Sequence, residues 1–126
     1  MTTMMLLAQA ALLLFNSEVA RDLAQVQGAP RVFVGAQVDE DAPALAWTQC
    51  VPESGVLVTQ LSGRAAVLDD RLIAHIAAHE VCHALLHKSV ICSVEFRTMR
   101  SDMREHLKRH MEVEAERCAV DMDARR

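Results

Sequence analysis

The sequence predicts a small α+β domain in which a helix, a short run of strands and two closing helices follow one another. Three observations predict it. An apolar stripe recurs at helical period over residues 3–26, three β-rich runs bounded by turn residues fall between 31 and 61, and two long helical patterns fill 68–88 and 102–123. The chain has 126 residues, enough for one domain with one modest core, so residues 1–126 are read as a single unit. With 52% hydrophobic residues but only three Phe, one Trp and no Tyr, that core must rest on Ala, Val, Leu, Ile and Met.

The first helix carries Met4, Ala8, Ala11, Leu12, Phe15, Val19, Leu23 and Val26 near one face and is broken at "QGAP" by Gly28 and Pro30. "RVFVGAQV" (31–38) is rich in β-branched residues and reads as a strand, "DEDAP" as a turn, "ALAWTQC" (44–50) as a second strand and "VPESG" as another turn. "VLVTQL" (56–61) alternates well and reads as a third strand. Three such runs this close together predict a small, mostly antiparallel sheet, with "VLVTQL" as its outer strand. "LDDRLIAHIAAHEVCHALLHK" (68–88) has no Gly or Pro and opens on acidic residues, which suits the helix dipole. "SVICSVEFRT" fits either a short strand or a connection. The last helix, 102–123, is highly charged, with Leu107, Met111, Ala115, Cys118, Ala119 and Met122 along its inner face.

The net charge of −4 gives no reason to expect nucleic-acid binding. Cys50, Cys82, Cys92 and Cys118 fall in no CxxC spacing, so they read as neither a disulfide framework nor a thiolate metal site, and a reducing, cytoplasmic compartment is expected. The apolar run near the N-terminus is about 12 residues, short of the roughly 20 that span a bilayer. No Lys or Arg precedes it and no small-residue cleavage site follows, so an amphipathic helix is expected there and no membrane span.

The chemistry lies in the helix at 68–88. His75, His79, His83 and His87 stand at steps of four, and Glu80 follows the second. Two histidines four apart project from one helix face, one turn above the other, so that both imidazoles can reach one ion. In "HEVCH" the Glu lies beside the first ligand, where it can take a proton from a metal-activated water; this is the HExxH arrangement. A zinc site of this kind needs a third protein ligand and an open position. The last helix offers Glu112, Glu114 and Glu116. Glu112 and Glu116 share a face, so either can bind metal while the other orients an imidazole, whereas Glu114 points elsewhere.

"HEVCH" followed roughly thirty residues later by "EVEAE" resembles the gluzincin metallopeptidases, whose third zinc ligand is a Glu on a second helix. The patterns are similar to the ExxAD-type helix of the Ste24/HtpX-like peptidases and the ExEAN helix of the ImmA/IrrE-like peptidases. "ALAWTQ", "SGVLVTQLSG" and "DDRLIAHIAAHEVCHALLH" follow the same order as the strands and active-site helix of those families, so the likeness covers about residues 31–122. It implies zinc held by His79, His83 and Glu112, with Glu80 as general base, and hydrolysis of a peptide or protein substrate. Glu116 departs from the Asp or Asn usual at its position. The membrane helices of the first family and the helix-turn-helix that often accompanies the second are missing.

Helical drift of about 40° per four-residue step keeps three successive histidines from facing one ion equally. His75 and His87 are therefore expected to pack or hydrogen-bond rather than ligate. Cys82 reads as a small buried hydrophobe. Arg97, Arg100, Arg104 and Lys108 read as a solvated helix face rather than a nucleic-acid groove. With Tyr absent, His106, His110 and Arg117 remain to stabilise an oxyanion; His110 is named for its closeness to Glu112 in sequence, although no spacing rule selects it. Two other functions compete with a general peptidase: a non-catalytic or latent metal-binding interaction module, with "DMDARR" reaching the metal's open position, and a regulator that cleaves one repressor protein. The sequence does not set the oligomeric state.

Overall fold

The computed structural model describes residues 3–37 and 44–126. Helix α1 (Thr3–Ala24) leads into strands β1 (Val32–Gln37), β2 (Ala46–Val51) and β3 (Val56–Ser62). A 3-10 turn (Gly63–Val67) then precedes helices α2 (Asp70–Ile91), α3 (Val94–Thr98) and α4 (Ser101–Asp123). The α+β class, the small sheet and the two terminal helices are as the sequence predicts. α1 stops at Ala24, and Gly28 supplies the positive φ of 75° at which the chain turns toward the sheet.

The sheet corrects two expectations. Its order is β1-β3-β2, with β1 parallel and β2 antiparallel to β3, so it is mixed rather than mostly antiparallel. "VLVTQL" is therefore the central strand, not the outer one. The cause is burial: Leu57, Thr59 and Leu61 alternate into the interior, and the strand that buries most takes the position with both backbone edges paired. The hairpin at Gly55 (φ 68°), whose N–H donates to the Val51 carbonyl at 3.0 Å, folds β2 onto one edge and leaves the other for β1. The turn expected at 39–43 lies outside the described residues.

α2 packs against α1 on one side and α4 on the other, and meets β2 and β3. Asp69 starts it by accepting the Leu72 N–H at 2.9 Å, satisfying one of the free donors of the first turn. Ala77 and Ala78 on α2 and Ala115 and Ala119 on α4 are fully or almost fully buried, and their small side chains let the helices approach closely. Ala11, Phe15 and Val19 complete the core from α1. Phe15 is 0% exposed, so Phe15→Ala is expected to cost about 3–5 kcal/mol in a urea denaturation series. A loss under 1 kcal/mol would mean that α1 does not hold this core together.

"SVICSVEFRT" proves helical: α2 runs on to Ile91, and Ser93 caps α3 by accepting the Phe96 N–H at 3.1 Å. The cysteines also differ from expectation. Cys50 bonds to Cys92, tying β2 to the end of α2, and Cys82 bonds to Cys118, tying α2 to α4. Neither pair is visible as a spacing motif, because the partners are 42 and 36 residues apart and meet only through the fold. Such pairs form in oxidising compartments, which removes the ground on which a reducing one was expected. Among the described residues no helix is long and apolar enough to cross a membrane.

Candidate metal centre

The four histidines of α2 form one network with the acidic residues of α4, neighbouring rings sharing a carboxylate in two places. His79 and His83 turn their Nε2 atoms to one carboxylate on α4: Glu112 accepts from His79 Nε2 at 2.8 Å and from His83 Nε2 at 2.9 Å. The second nitrogen of each ring is also held. His79 Nδ1 donates to Glu116 at 2.9 Å, and His83 Nδ1 lies 3.1 Å from His87 Nδ1. His87 gives its Nε2 proton to Glu114 at 3.2 Å, which leaves its Nδ1 to accept from His83. Both Nδ1 atoms are thus occupied by neighbours, and both Nε2 atoms converge on one spot. His75 continues the network, bonding Glu116 through Nε2 and Asp123 through Nδ1.

Glu80 comes from the same turn of α2 but faces β2 and is only 4% exposed. Thr59 on β3 and Thr48 on β2 share a hydroxyl bond of 2.8 Å, and Thr48 donates to Glu80 Oε1 at 2.9 Å. One carboxylate oxygen is therefore fixed from the sheet side. Ligating atoms of His79, Glu80 and His83 all lie within 4.8 Å of one another, a grouping that can hold a metal ion.

Burial and charge pull these groups in opposite directions. Burial disfavours the charged form of His79, but the bonds to Glu112 and Glu116 and the nearby Glu80 outweigh it and raise its pKa from 6.5 to about 9. The same bonds, from His79 and then His83, hold Glu112 well below the usual carboxylate range against the effect of burial. Glu80 is pushed upward by its burial, which the two imidazoles and Thr48 only partly offset. His87 is shifted down, chiefly by burial, and so stays neutral as an acceptor for His83.

Thr48, His79, Glu80, His83, Glu112 and Glu116 line an open cleft of about 1050 Å³ between β2 on one wall and α3 and α4 on the other. That volume reaches the upper end of small-molecule pockets and suits an extended chain. No family model, curated protein or solved structure matches this chain.

The structure brings together His79, Glu80, His83 and Glu112 in one cleft, with Glu116 on the far nitrogen of His79. It does not bring His110 there. Two residues before Glu112 on an α-helix means about 200° around the axis, and His110 is exposed beside His106, with ring centroids 6.5 Å apart. Residues 121–126, expected to be able to cover the metal, instead extend from α4 toward α1. Arg126 pairs there with Glu18 and with Asp22, the latter 1% exposed, and donates to the Ala74 carbonyl at 2.8 Å. Sequence reasoning missed Thr48, whose signal was a polar residue at an inward position of a strand. Arg97 and Lys108 are exposed, as a solvated face requires, and with the half-buried Arg104 they line the open cleft.

Proposed function

We propose that the chain is a zinc-dependent metallopeptidase of gluzincin type, with His79, His83 and Glu112 as ligands and Glu80 as general base. One observation carries this reading: the Nε2 atoms of His79 and His83 converge on the Glu112 carboxylate at 2.8 and 2.9 Å while both Nδ1 atoms are held elsewhere. Two imidazoles that give up their Nε2 protons to the ion, with one carboxylate, are a donor set suited to zinc, and the outer bonds to Glu116 and His87 orient them. When bound, zinc supplies Lewis-acid polarisation of a carbonyl and lowers the pKa of water. Glu80, held by Thr48, takes a proton from the attacking water at its carboxylate and returns it to the leaving amine. The free edge of β2, rather than "VLVTQL", pairs the substrate backbone along the cleft.

Calorimetric zinc titration with parallel assay on a peptide mixture tests this. At pH 7 the raised His79 carries a proton that the ion must displace. Binding is therefore expected to release about one proton from His79, and affinity to rise about tenfold per pH unit up to about 9. The sign follows from competition: acid favours the protonated ring and opposes the metal. Absence of stoichiometric zinc binding would sink the metal assignment. Zinc binding without cleavage of any peptide would favour a non-catalytic module, and cleavage of a single repressor protein would favour the regulator.

A further inference from the structure

We propose that the cleft selects substrates with acidic side chains within about four residues of the scissile bond, through Arg97 on α3 and Arg104 on α4. The proposal rests on the peptidase reading above and names its substrate class.

Arg104, Lys108, Glu112 and Glu116 follow one another at steps of four on α4, so they share a face, and all four line the cleft. Each step advances about 6 Å along the helix, which puts Lys108 and Arg104 about one and two turns beyond Glu112. An extended peptide covers about 3.3 Å per residue, so a side chain about two to four residues from the reacting bond reaches this part of the wall.

The charges that face this wall are accounted for in pairs. Glu112 and Glu116 are engaged by His79, His83 and His75, and Glu80 by Thr48. Glu105 lies 3.7 Å from Lys108. That leaves Arg97 and Arg104, neither of which has a carboxylate within ion-pair distance among the described residues. Arg104 is half-buried and its Nη1 donates to the Arg97 carbonyl at 3.1 Å, so α3 and α4 hold the two guanidinium-bearing residues together at the rim. The half-buried Arg104 guanidinium offers a carboxylate bonds less screened than on open surface, and the exposed Arg97 adds a second charge beside it. Two cations on a chain of net charge −4 are too few to hold a polyanion such as nucleic acid, but they match one or two side-chain carboxylates.

The test uses three peptides that share one central bond and carry Glu, Gln or Lys at the second and fourth positions on either side. Binding is read by fluorescence anisotropy on Glu80→Gln protein supplied with zinc, and kcat and KM on the wild type. The Glu peptide is expected to bind about five- to tenfold more tightly than the Gln peptide, with the Lys peptide weakest and the differences shrinking at high salt. The preference is expected in KM rather than kcat. Arg104→Glu and, separately, Arg97→Glu should each narrow or reverse the order, with circular dichroism confirming the fold. Equal affinity for the Glu and Gln peptides overturns the selectivity while leaving hydrolysis intact. A Glu preference in binding without hydrolysis by the wild type supports the selectivity and removes the peptidase reading. Failure of all three to bind overturns the selectivity.

Discussion

Glu80→Gln is expected to keep its zinc and lose about 10²- to 10⁴-fold in peptide hydrolysis. The amide is nearly isosteric, so the bond from Thr48 at 2.9 Å can be kept, and the neighbours of His79 and His83 are unchanged. What is lost is a carboxylate able to accept and return a proton. Glu112→Ala should do the reverse: it removes the one group both Nε2 atoms face, so zinc content falls and activity follows. Metal analysis by mass spectrometry on both variants, beside hydrolysis of a fluorogenic peptide, separates the two roles. A Glu80→Gln protein that hydrolyses as fast as wild type would remove Glu80 from the chemistry. A Glu112→Ala protein that retains full zinc would remove Glu112 from the ligand set and leave Glu116, on the same helix face, to take its place.

The parts of this site that could be read from sequence are those fixed by helical spacing. His79 and His83 share a face because four residues make about one turn, and Glu112 and Glu116 share one for the same reason. Reading α2 and α4 as helices was enough to oppose the two pairs once the helices packed. His110 failed on that same geometry, because nearness in sequence to Glu112 is not nearness on a helix face. The strand order was not legible, since spacing along the chain does not say which of three short strands pairs on both edges. The basic wall was hidden for a related reason. Arg97 and Arg104 belong to different helices, and only the turn between α3 and α4 brings them to one rim.

Removing the Cys82–Cys118 bond by Cys82→Ala with Cys118→Ala is expected to destabilise the metal-free protein by about 3–4 kcal/mol, from the entropy restored to a loop closed by residues 36 apart. Its position makes the loss more than a matter of stability. Cys82 directly precedes His83, and Cys118 lies six residues after Glu112, so the bond fixes α4 against α2 within two turns of the proposed ligand carboxylate. A metal shared by the two helices would clamp the same junction. Disulfide and metal would then hold the same junction, and the variant should bind zinc less tightly, because part of the binding energy goes into ordering α4. Urea denaturation with and without zinc measures this: zinc stabilises the folded protein by an amount set by its affinity, so the gap between the two midpoints should narrow in the variant. The Cys50–Cys92 bond provides the control, since it anchors β2 to the end of α2 and does not join α2 to α4. Its removal should lower stability by about 4 kcal/mol, from a loop closed by residues 42 apart, without changing the zinc-dependent gap. Equal gaps in both variants would mean that the metal does not bridge α2 and α4, and Glu112 would lose its place as a ligand.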